Sequence, residues 1–471
     1  MHRRQFLKAS AFAGAWSLLP PFARAAGANG ELRLAVIGIN SRGKGLLDEA
    51  LRCKGVRVVA LCDADSAVLE RVAAELEGKQ IKVEKYEDYR KLCESKDIDA
   101  IVIATPNHTH VPIAVAAAAN GKHVYVEKPV SHNVWEGRQL VRAAEKYGVI
   151  IQHGFQRRSE TAWQEAAEWL AGGELGKITL ARGFCYKPRK SIGRVSEARK
   201  PPGTVNYDLW SGPREPLPVH RERFHYDWHW QFPYGNGDLG NQGPHQLDVC
   251  RWFIGDPALP PSVLSAGGRF GVADDGEWAN TQIVWYDYQP VPILFEVRGL
   301  PKEGLDFGKG MDRYKGQDIG NVIECEGGWL AGGHGPNCAA HDKDGRKVRE
   351  FKGGKSHMQA FIDAVHAGKI DPIRGAESGH LSSALAHIGN LSWRLGAPGE
   401  SNPYTTPAAE DAYNRMILHL EANRIDLVAT PVIAGRPLTL DPAAERFTGS
   451  GAEEANRLLK EDYREGFGVE V

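Results

Sequence analysis

The chain has 471 residues, and its 58 lysines and arginines nearly balance its 59 aspartates and glutamates, so the net charge is close to zero. This balance argues against a surface that binds nucleic acid or an anionic membrane. The seven cysteines are widely spaced and include no Cys-x-x-Cys pair, which argues against a zinc ribbon and a disulfide framework. The length predicts two domains around large buried cores.

Residues 1–30 predict an export signal and a linker. A basic start with Arg3-Arg4 and Lys8 precedes an uncharged run over 9–19, which is shorter than the roughly 20 residues that span a bilayer. Ala23-Arg24-Ala25 then places small residues where a signal peptidase cleaves. This pattern indicates a twin-arginine leader, recognised by the twin-arginine translocase, and hence a periplasmic or secreted bacterial protein without stable membrane insertion. An ordinary secretory signal or an uncleaved anchor is the alternative.

Residues 31–155 alternate between apolar strands and helical segments, which predicts an α/β domain: a doubly wound parallel sheet of the Rossmann type. The expected strands are Leu32–Ile37, Val56–Cys62, 81–86, 100–104 and His123–Val126. The expected helices run from the loop after the first strand to about Cys53, and over 66–78, 87–95 and the segment before Asn120.

The loop after the first strand is an imperfect G-x-G-x-x-G. Gly38 permits the tight turn and Gly43 permits close packing of helix on strand, whereas Asn40 replaces the middle glycine and is expected to tolerate a left-handed backbone. About twenty residues further on, Asp63 ends the second strand, where a carboxylate accepts hydrogen bonds from a ribose 2′-hydroxyl and repels a 2′-phosphate. The pattern favours NAD over NADP, although Arg42 could meet a 2′-phosphate. A plain turn residue is the alternative for Asp63.

The fifth strand ends in Glu127-Lys128-Pro129. The proline holds the backbone of Lys128 extended and permits a cis peptide bond before it. The carboxyl ends of parallel strands face the ligand crevice, so a lysine here is partly desolvated and acquires a lowered pKa that suits proton transfer. A surface lysine in a turn is the alternative.

Residues 156–400 predict a second α/β domain with an antiparallel sheet, because alternating segments lie near 262–272, 280–288, 291–299 and 320–326. Helices near 356–367 and 378–395 are expected to close this domain. Residues 401–471 predict a helical extension, in which one helix has Thr406 as its cap and Pro407 at its first position, and another covers 453–464.

Two pairs of residues in the second domain are candidates for the chemistry. His245 begins a helix, where a neutral imidazole suits a general base, and Asp248 one turn later could orient its ring. A histidine packed at the domain seam is the alternative. Gln156 and Arg157 follow the sixth strand and could reach the cofactor or an acidic substrate group, with ordinary surface residues as the equal alternative.

An aromatic run over 224–232 contains Trp228 and Trp230. Such a run fits a platform for a sugar ring and fits a loop that covers the core equally well. His225 and His229 lie four residues apart, but no third ligand follows, so no metal site is expected.

These motifs together resemble the Gfo/Idh/MocA oxidoreductases, named for glucose–fructose oxidoreductase, inositol dehydrogenase and a rhizopine catabolism protein. The resemblance covers roughly residues 31–395 and is carried by the glycine loop, Asp63, Thr-Pro-Asn-His-Thr-His over 105–110, Gly-Lys-His-Val-Tyr-Val-Glu-Lys-Pro over 121–129 and Gly-Pro-His-Gln-Leu-Asp over 243–248. It implies a Rossmann domain followed by an α/β domain with a large, mostly antiparallel sheet. That sheet often serves as an oligomer interface, so a homo-oligomer is expected.

The resemblance also assigns roles to residues. It implies that Lys128 lies near the reacting hydroxyl, with His245 matching the histidine of the family. It further implies that the nicotinamide side is lined by Thr105, Asn107, His110 and Glu127. Asn241 stands where many relatives have aspartate, so a hydrogen-bonding group is kept but the charge is lost.

Three functions fit these features. The first is an exported oxidoreductase that acts on a CH–OH group of a sugar or polyol and recycles a tightly bound NAD, because free cofactor is scarce outside the cytoplasm. The second is an NAD-dependent glycoside hydrolase, like some exported relatives, which works by transient oxidation, elimination and re-reduction. The third is a non-catalytic sugar-binding protein, against which the presence of Lys128 and His245 argues.

Overall fold

The computed structural model describes residues 30–399 and 401–471. The twin-arginine leader lies outside the described residues and stays a prediction. Across the described part of the chain, no helix is both long enough and apolar enough to cross a bilayer.

Strands and helices alternate at the start of the described chain. In order they are β1 (Leu32–Ile37), α1 (Arg42–Ala50), β2 (Val56–Cys62), α2 (Ser66–Glu77), β3 (Glu84–Tyr86), α3 (Tyr89–Glu94), β4 (Ala100–Ile103), α4 (His110–Ala119), β5 (His123–Val126), α5 (Val134–Tyr147) and β6 (Ile151–His153). The strands are parallel, in the order β3-β2-β1-β4-β5-β6. The doubly wound sheet is therefore confirmed, and β1, β2 and β5 have the predicted bounds.

Burial on both faces explains why these strands were recognisable. In β1, Leu34 and Val36 pack into the core on one face, and Ala35 and Ile37 into the core on the other. A strand covered on both sides is an almost continuous apolar run.

The remaining elements form the second domain and the extension. In order they are α6 (Thr161–Ala171), β7 (Ile178–Tyr186), α7 (Tyr207–Ser211), α8 (Gly237–Asn241), α9 (Gly243–Phe253), β8 (Ser262–Gly268), β9 (Thr281–Tyr286), β10 (Ile293–Arg298), β11 (Ile319–Cys325), β12 (Gly328–Gly332), β13 (Cys338–Asp342), β14 (Lys347–Phe351), α10 (His357–Ala367), α11 (Ala376–Arg394), β15 (Ala397–Pro398), α12 (Pro407–Ala422), β16 (Ile433–Ala434), β17 (Leu438–Asp441), β18 (Arg446–Thr448) and α13 (Ala452–Arg457).

The strands of this part form a second sheet in the order β14-β13-β12-β11-β7-β10-β9-β8-β16-β15, with β17 and β18 attached to β8. Among the described strands of this second sheet, only β7 and β10 pair in parallel, so the predicted large and mostly antiparallel sheet is confirmed. Helices α9 and α11 pack on one face of it, through Leu247 and Leu385 among others.

The helix near 356–367 was expected to close the second domain, but the corresponding helix, α10, does not do so. Its Phe361 and Ile362 join Leu34 and Val36 in one buried cluster, so the helix covers a face of the first sheet. The expectation was wrong because the spacing of apolar residues identifies the buried face of a helix but not the surface that covers it.

The extension is not simply helical. Helix α12 packs on the outer face of the second sheet, and 433–448 add three short strands. The helix expected over 453–464 ends at Arg457. The chain beyond it returns to the first domain, where Tyr463 donates a hydrogen bond to Glu136 at 2.7 Å and Phe467 and Val469 are buried in the core. These long-range contacts outweigh local helix propensity.

Candidate active site

A cleft of about 320 Å³ lies where the carboxyl ends of β1, β2, β4 and β5 meet the second domain. Most of the residues predicted to hold a cofactor line it, namely Gly38, Asn40, Arg42, Asp63, Thr105, Asn107, His110, Glu127 and Lys128. The parallel sheet brings them together because all its strands end at the same edge.

The glycine loop fits a pyrophosphate. Gly38 has φ +79°, and a Cβ there would lie 2.8 Å from the Ala104 carbonyl carbon. At Gly43, a Cβ would lie 1.7 Å from the Gly38 carbonyl oxygen, so this glycine lets α1 approach the strand, as predicted. Among the described residues, no side chain caps the N-terminus of α1. Its free N–H groups face the cleft and suit an anion.

Asn40 does not have the left-handed backbone that was expected, since it is not among the described non-glycine residues with positive φ. Its side chain instead accepts a hydrogen bond from Arg71 of α2 at 3.1 Å. The loop therefore keeps its shape without the middle glycine, and Arg71 is a contact that the loop motif did not predict.

Asp63 and Arg42 lie on opposite sides of β1. Asp63 follows β2, whereas the Arg42 side chain reaches Glu127 at the end of β5. Asp63 accepts hydrogen bonds from the N–H groups of Ile39 at 2.9 Å and Asp65 at 3.0 Å, and burial raises its pKa. Arg42 is bound to Glu127 at 2.8 Å. Because Arg42 is held away from Asp63, it no longer argues for a 2′-phosphate.

The loops after β4 and β5 are held together by His110. Its ring nitrogens lie 2.7 Å from the Pro129 carbonyl and 2.8 Å from the Thr105 carbonyl, and burial lowers its pKa. Asn107 donates a hydrogen bond at 3.1 Å to Asn236 of the second domain. Both contacts fix the cleft wall where the resemblance places the nicotinamide.

Lys128 lines the cleft, and its peptide bond to Pro129 is cis. The ammonium group donates a hydrogen bond to the Asn241 carbonyl at 2.6 Å. Burial lowers the pKa of Lys128 to about 8, against the opposing effect of Glu127. Although burial alone would raise the pKa of Glu127, Arg42 and Lys128 hold it below its ordinary value. This is the desolvated lysine that the sequence predicted.

His245 lies beside the cleft rather than among its lining residues, with its ring 6.2 Å from that of Phe155. Burial and then the charge of Lys128 lower its pKa well below the ordinary value, so the imidazole is neutral. Its predicted partner does not contact it. Asp248 is fully buried and accepts hydrogen bonds from Arg158 at 2.8 Å and from Ser382 at 2.8 Å. The prediction that Asp248 orients His245 or binds substrate is therefore wrong.

Three other candidate substrate residues are engaged elsewhere in the structure. Gln156 donates to Glu127 at 3.1 Å and so supports the cofactor side. Arg157 donates hydrogen bonds to Glu160 at 2.8 Å and to the Gly333 carbonyl at 2.6 Å. Trp230 is buried against the Arg189 guanidinium. Of the tentative substrate residues, the structure places Trp228 and Asn241 in the cleft.

The sequence reasoning did not single out Lys187 or Gln242, which also line the cleft, whereas Tyr226 and His229, further lining residues, belong to the aromatic run that was considered as a sugar platform. His229 Nδ1 lies 2.5 Å from the Tyr226 carbonyl, which can only accept, so Nδ1 carries the proton and Nε2 presents a lone pair. Burial lowers the pKa of His229 to about 3, which keeps the ring neutral.

His225, four residues before His229, pairs with Asp65 at 2.9 Å. In the part of the chain that the structure describes, no group of three potential ligands is placed to hold a metal. Lys187 could have been identified by its position, because it directly follows a strand whose end faces the cleft.

A segment of the second domain, residues 204–229, covers the open side of the cleft; we call it the cover. It is joined to the end of β2 by hydrogen bonds from Ser66 N to the Thr204 carbonyl at 2.9 Å and from Asn206 N to the Ala64 carbonyl at 2.8 Å. Arg464 of the C-terminal tail binds Asp208 at 2.6 Å. The tail therefore fastens the cover onto the nucleotide-binding side.

Two family models match the chain. Residues 32–155 match the NAD-binding Rossmann fold of the Gfo/Idh/MocA oxidoreductase family, and residues 171–287 match its C-terminal α/β domain. Together they cover about half of the chain. The first match confirms that the cofactor fold is of the NAD-binding kind.

Individual relatives match over shorter stretches. The scyllo-inositol 2-dehydrogenase (NAD(+)) of Bacillus subtilis (strain 168) is 34% identical over 159 residues, which are 33% of this chain and 44% of that protein. A glycosyl hydrolase family 109 protein of Streptomyces filamentosus is 37% identical over 120 residues, 24% of each chain. The chain thus spans less than half the length of the curated relatives it matches. A solved levoglucosan dehydrogenase, in complex with NADH, shares the fold with a TM-score of 0.57 at 18% identity, covering 76% of this chain and 95% of that one.

Proposed function

Because the chain belongs to the Gfo/Idh/MocA family of oxidoreductases, we propose that it is an exported enzyme that oxidises a CH–OH group of a sugar or polyol and recycles a tightly held NAD. The observation that carries this proposal is the cleft, in which Lys128 lies between the strand-end residues of the first domain and Asn241, Trp228 and His229 of the second. Bound NAD would supply the hydride acceptor for the oxidation and the donor for the reverse step.

The chain supplies binding and proton transfer. Lys128, with its pKa near 8, takes the hydroxyl proton as the carbinol carbon gives up its hydride, and returns a proton in the reverse reaction. The Asn241 carbonyl orients the amine through its 2.6 Å contact. Neutral His229 accepts a hydrogen bond from a further hydroxyl, and Trp228, stacked on the His229 ring at 3.7 Å, holds that ring in place at the cleft. His245 stays the candidate that assists Lys128 from the rim.

Retention of the cofactor is supported by the cover. Leu209 and Trp210 of the cover line the cleft together with the strand ends, so opening of the cover is expected to ease the release of a dinucleotide. Opening breaks the contacts of Asn206 with Ala64 and of Arg464 with Asp208. A retained cofactor suits the periplasmic or secreted location that the Arg3-Arg4 leader supports, because there the enzyme must regenerate its own cofactor on a second substrate.

Cofactor retention tests the proposal directly. The purified full chain is dialysed extensively, and NAD is released by denaturation and quantified per protein. We expect near-stoichiometric NAD in the wild type and a loss in Arg464→Ala, whereas Arg457→Ala, an exposed arginine of the same tail, should retain it. A wild type that carries no dinucleotide and binds none when NAD is added would sink the proposal.

A second candidate is the NAD-dependent glycoside hydrolase, favoured by the glycosyl hydrolase family 109 relative. Transient oxidation, elimination and re-reduction also leave the cofactor unchanged, so the same cover and the same Lys128 would serve. Chromogenic glycosides separate the two candidates from pairs of a free aldose and a ketose acceptor. Aglycone release without net NADH supports the hydrolase, and product pairs from two sugars support the oxidoreductase.

We also propose that the protein forms a homo-oligomer. Helix α12 covers the outer face of the second sheet at β8 to β10, where Met416 and Ile283 share a buried cluster. A contact between copies would therefore use the face over β11 to β14. Light scattering during size exclusion measures the mass, and a monomer at all concentrations would contradict this part.

A further inference from the structure

We propose that Lys187 forms an anion-binding subsite, and that the substrate carries a negatively charged group, a carboxylate or a phosphate, close to the carbon that reacts. This inference rests on the proposed sugar oxidation and specifies its substrate class. It is carried by a cation at the substrate end of the cleft that no carboxylate of the described residues contacts.

Lys187 is fixed at the cleft by its backbone. It directly follows β7, and its N–H donates to the Arg298 carbonyl at 3.0 Å. Its side chain lines the cleft together with Lys128, Asn241 and Gln242. The ammonium group has a single weak contact, to the Gln242 side-chain carbonyl at 3.3 Å, and the described residues place no carboxylate within salt-bridge distance of it.

The neighbouring arginines are each paired with a carboxylate, which sets Lys187 apart from them. Arg189 pairs with buried Asp238 at 2.6 Å, Arg157 pairs with Glu160 at 2.8 Å, and Arg42 pairs with Glu127 at 2.8 Å. An arginine already bound to a carboxylate has little charge left for a ligand, whereas a partly enclosed lysine without a counterion attracts one.

The carboxylates that line the cleft do not lie at the Lys187 end. The described residues that line the cleft include three carboxylates, Asp63, Glu87 and Glu127. The first two follow β2 and β3, which lie three and four strands away from β5 in the sheet, and the third is bound by Arg42. The substrate end therefore carries a net positive potential. Besides burial, the charge of Lys187 contributes to the lowered pKa of both Lys128 and His334.

The cofactor pyrophosphate does not account for this cation. Its place is the uncapped N-terminus of α1 at Gly38 and Arg42, in the first domain. Lys187 belongs to the second domain and contacts Gln242, the residue before α9. An anion at Lys187 therefore belongs to the second ligand, and it places the adjacent carbinol next to Lys128.

Binding measurements test the subsite without turnover, because Trp228 lines the cleft and reports occupancy by its fluorescence. The NAD-loaded full chain is titrated with glucuronate, glucose 6-phosphate and glucose at constant ionic strength. We expect at least one of the two anions to bind about tenfold or more tighter than glucose, since a hydrogen bond between charged groups contributes at least that factor. Tighter binding of glucuronate identifies a carboxylate substrate, and tighter binding of glucose 6-phosphate identifies a phosphate substrate.

The variant Lys187→Gln should bind both anions no more tightly than it binds glucose, whereas Lys190→Gln, an exposed lysine of the same loop, should behave as the wild type. The preference should also weaken as salt is added. The subsite is refuted if neither anion binds more tightly than glucose, or if Lys187→Gln keeps the preference. Loss of cofactor retention with the anion preference intact would overturn the proposed function but not the subsite.

Discussion

Replacing Lys128 with methionine should stabilise the folded protein near neutral pH while it abolishes turnover. The folded state holds the ammonium group in a desolvated cleft, where its pKa falls from 10.5 to about 8. That fall corresponds to about 3 kcal/mol of destabilisation while the group is charged, since each tenfold change in proton binding is about 1.4 kcal/mol. Methionine removes this cost but leaves the Asn241 carbonyl without its donor, which costs about 1 kcal/mol. The net gain is about 2 kcal/mol.

The pH dependence of the gain identifies its cause. Between about pH 8 and pH 10.5 the unfolded lysine holds a proton that the folded lysine has lost. The wild type is therefore stabilised by rising pH relative to the variant, and the gain should vanish near the upper limit. Denaturant unfolding followed by tryptophan fluorescence measures the difference at several pH values, with the exposed Lys79→Met as control. A variant that is less stable than the wild type at neutral pH, by an amount independent of pH, would refute the reasoning.

The remaining predictions concern the same cleft and its support. The rate of sugar oxidation should rise as pH passes about 8, because the neutral amine of Lys128 is the proton acceptor. Lys128→Arg, whose guanidinium stays protonated, should lose about 10²- to 10⁴-fold in kcat/KM and should lack this rise. Gly43→Ala should lose NAD binding, since its Cβ would lie 1.7 Å from the Gly38 carbonyl oxygen, whereas Gly45→Ala, with its nearest neighbour at 3.7 Å, should bind as the wild type; fluorescence titration with NADH compares them. Asp248→Asn should lower the unfolding free energy by about 3 kcal/mol, because buried Arg158 and Arg251 would then share Asp256 as their remaining carboxylate. It should keep the KM for sugar, and lost activity at unchanged stability would return Asp248 to the active site.

The success of the sequence reasoning was greatest where the determinants are local. The parallel sheet follows from continuous apolar runs, and the bounds of β1, β2 and β5 were predicted because each strand is buried on both faces. Lys128 was placed at the cleft because strand ends of a parallel sheet share one edge and a proline follows it. The roles of Gly38 and Gly43 could also be predicted, because both glycines allow close backbone contacts within one short loop, and such local contacts fix the spacing between the glycines in the sequence.

The sequence-based predictions failed where a residue contacts a partner that is distant in the chain. Asp248 lies one helical turn from His245, yet it binds Arg158, 90 residues away, because the helix turns that face into the core. Helix α10 has a recognisable apolar stripe, but the stripe covers the first sheet and not the second. The tail beyond Arg457 leaves its helix for contacts with Glu136 and the first domain. Periodicity and spacing carry no information on such pairings.

The sequence by itself therefore determined the Rossmann sheet, the position of Lys128 and the NAD-binding character of the first domain, because these depend on hydrophobic patterning and on short, rigid spacings. Only the tertiary structure decided which charges are compensated. Arg189 and Lys187 are two residues apart, yet Asp238 neutralises the first and no carboxylate of the described residues reaches the second. Compensation depends on which segments the folded chain brings within a few ångströms, where Coulomb interactions in a partly enclosed site are strong.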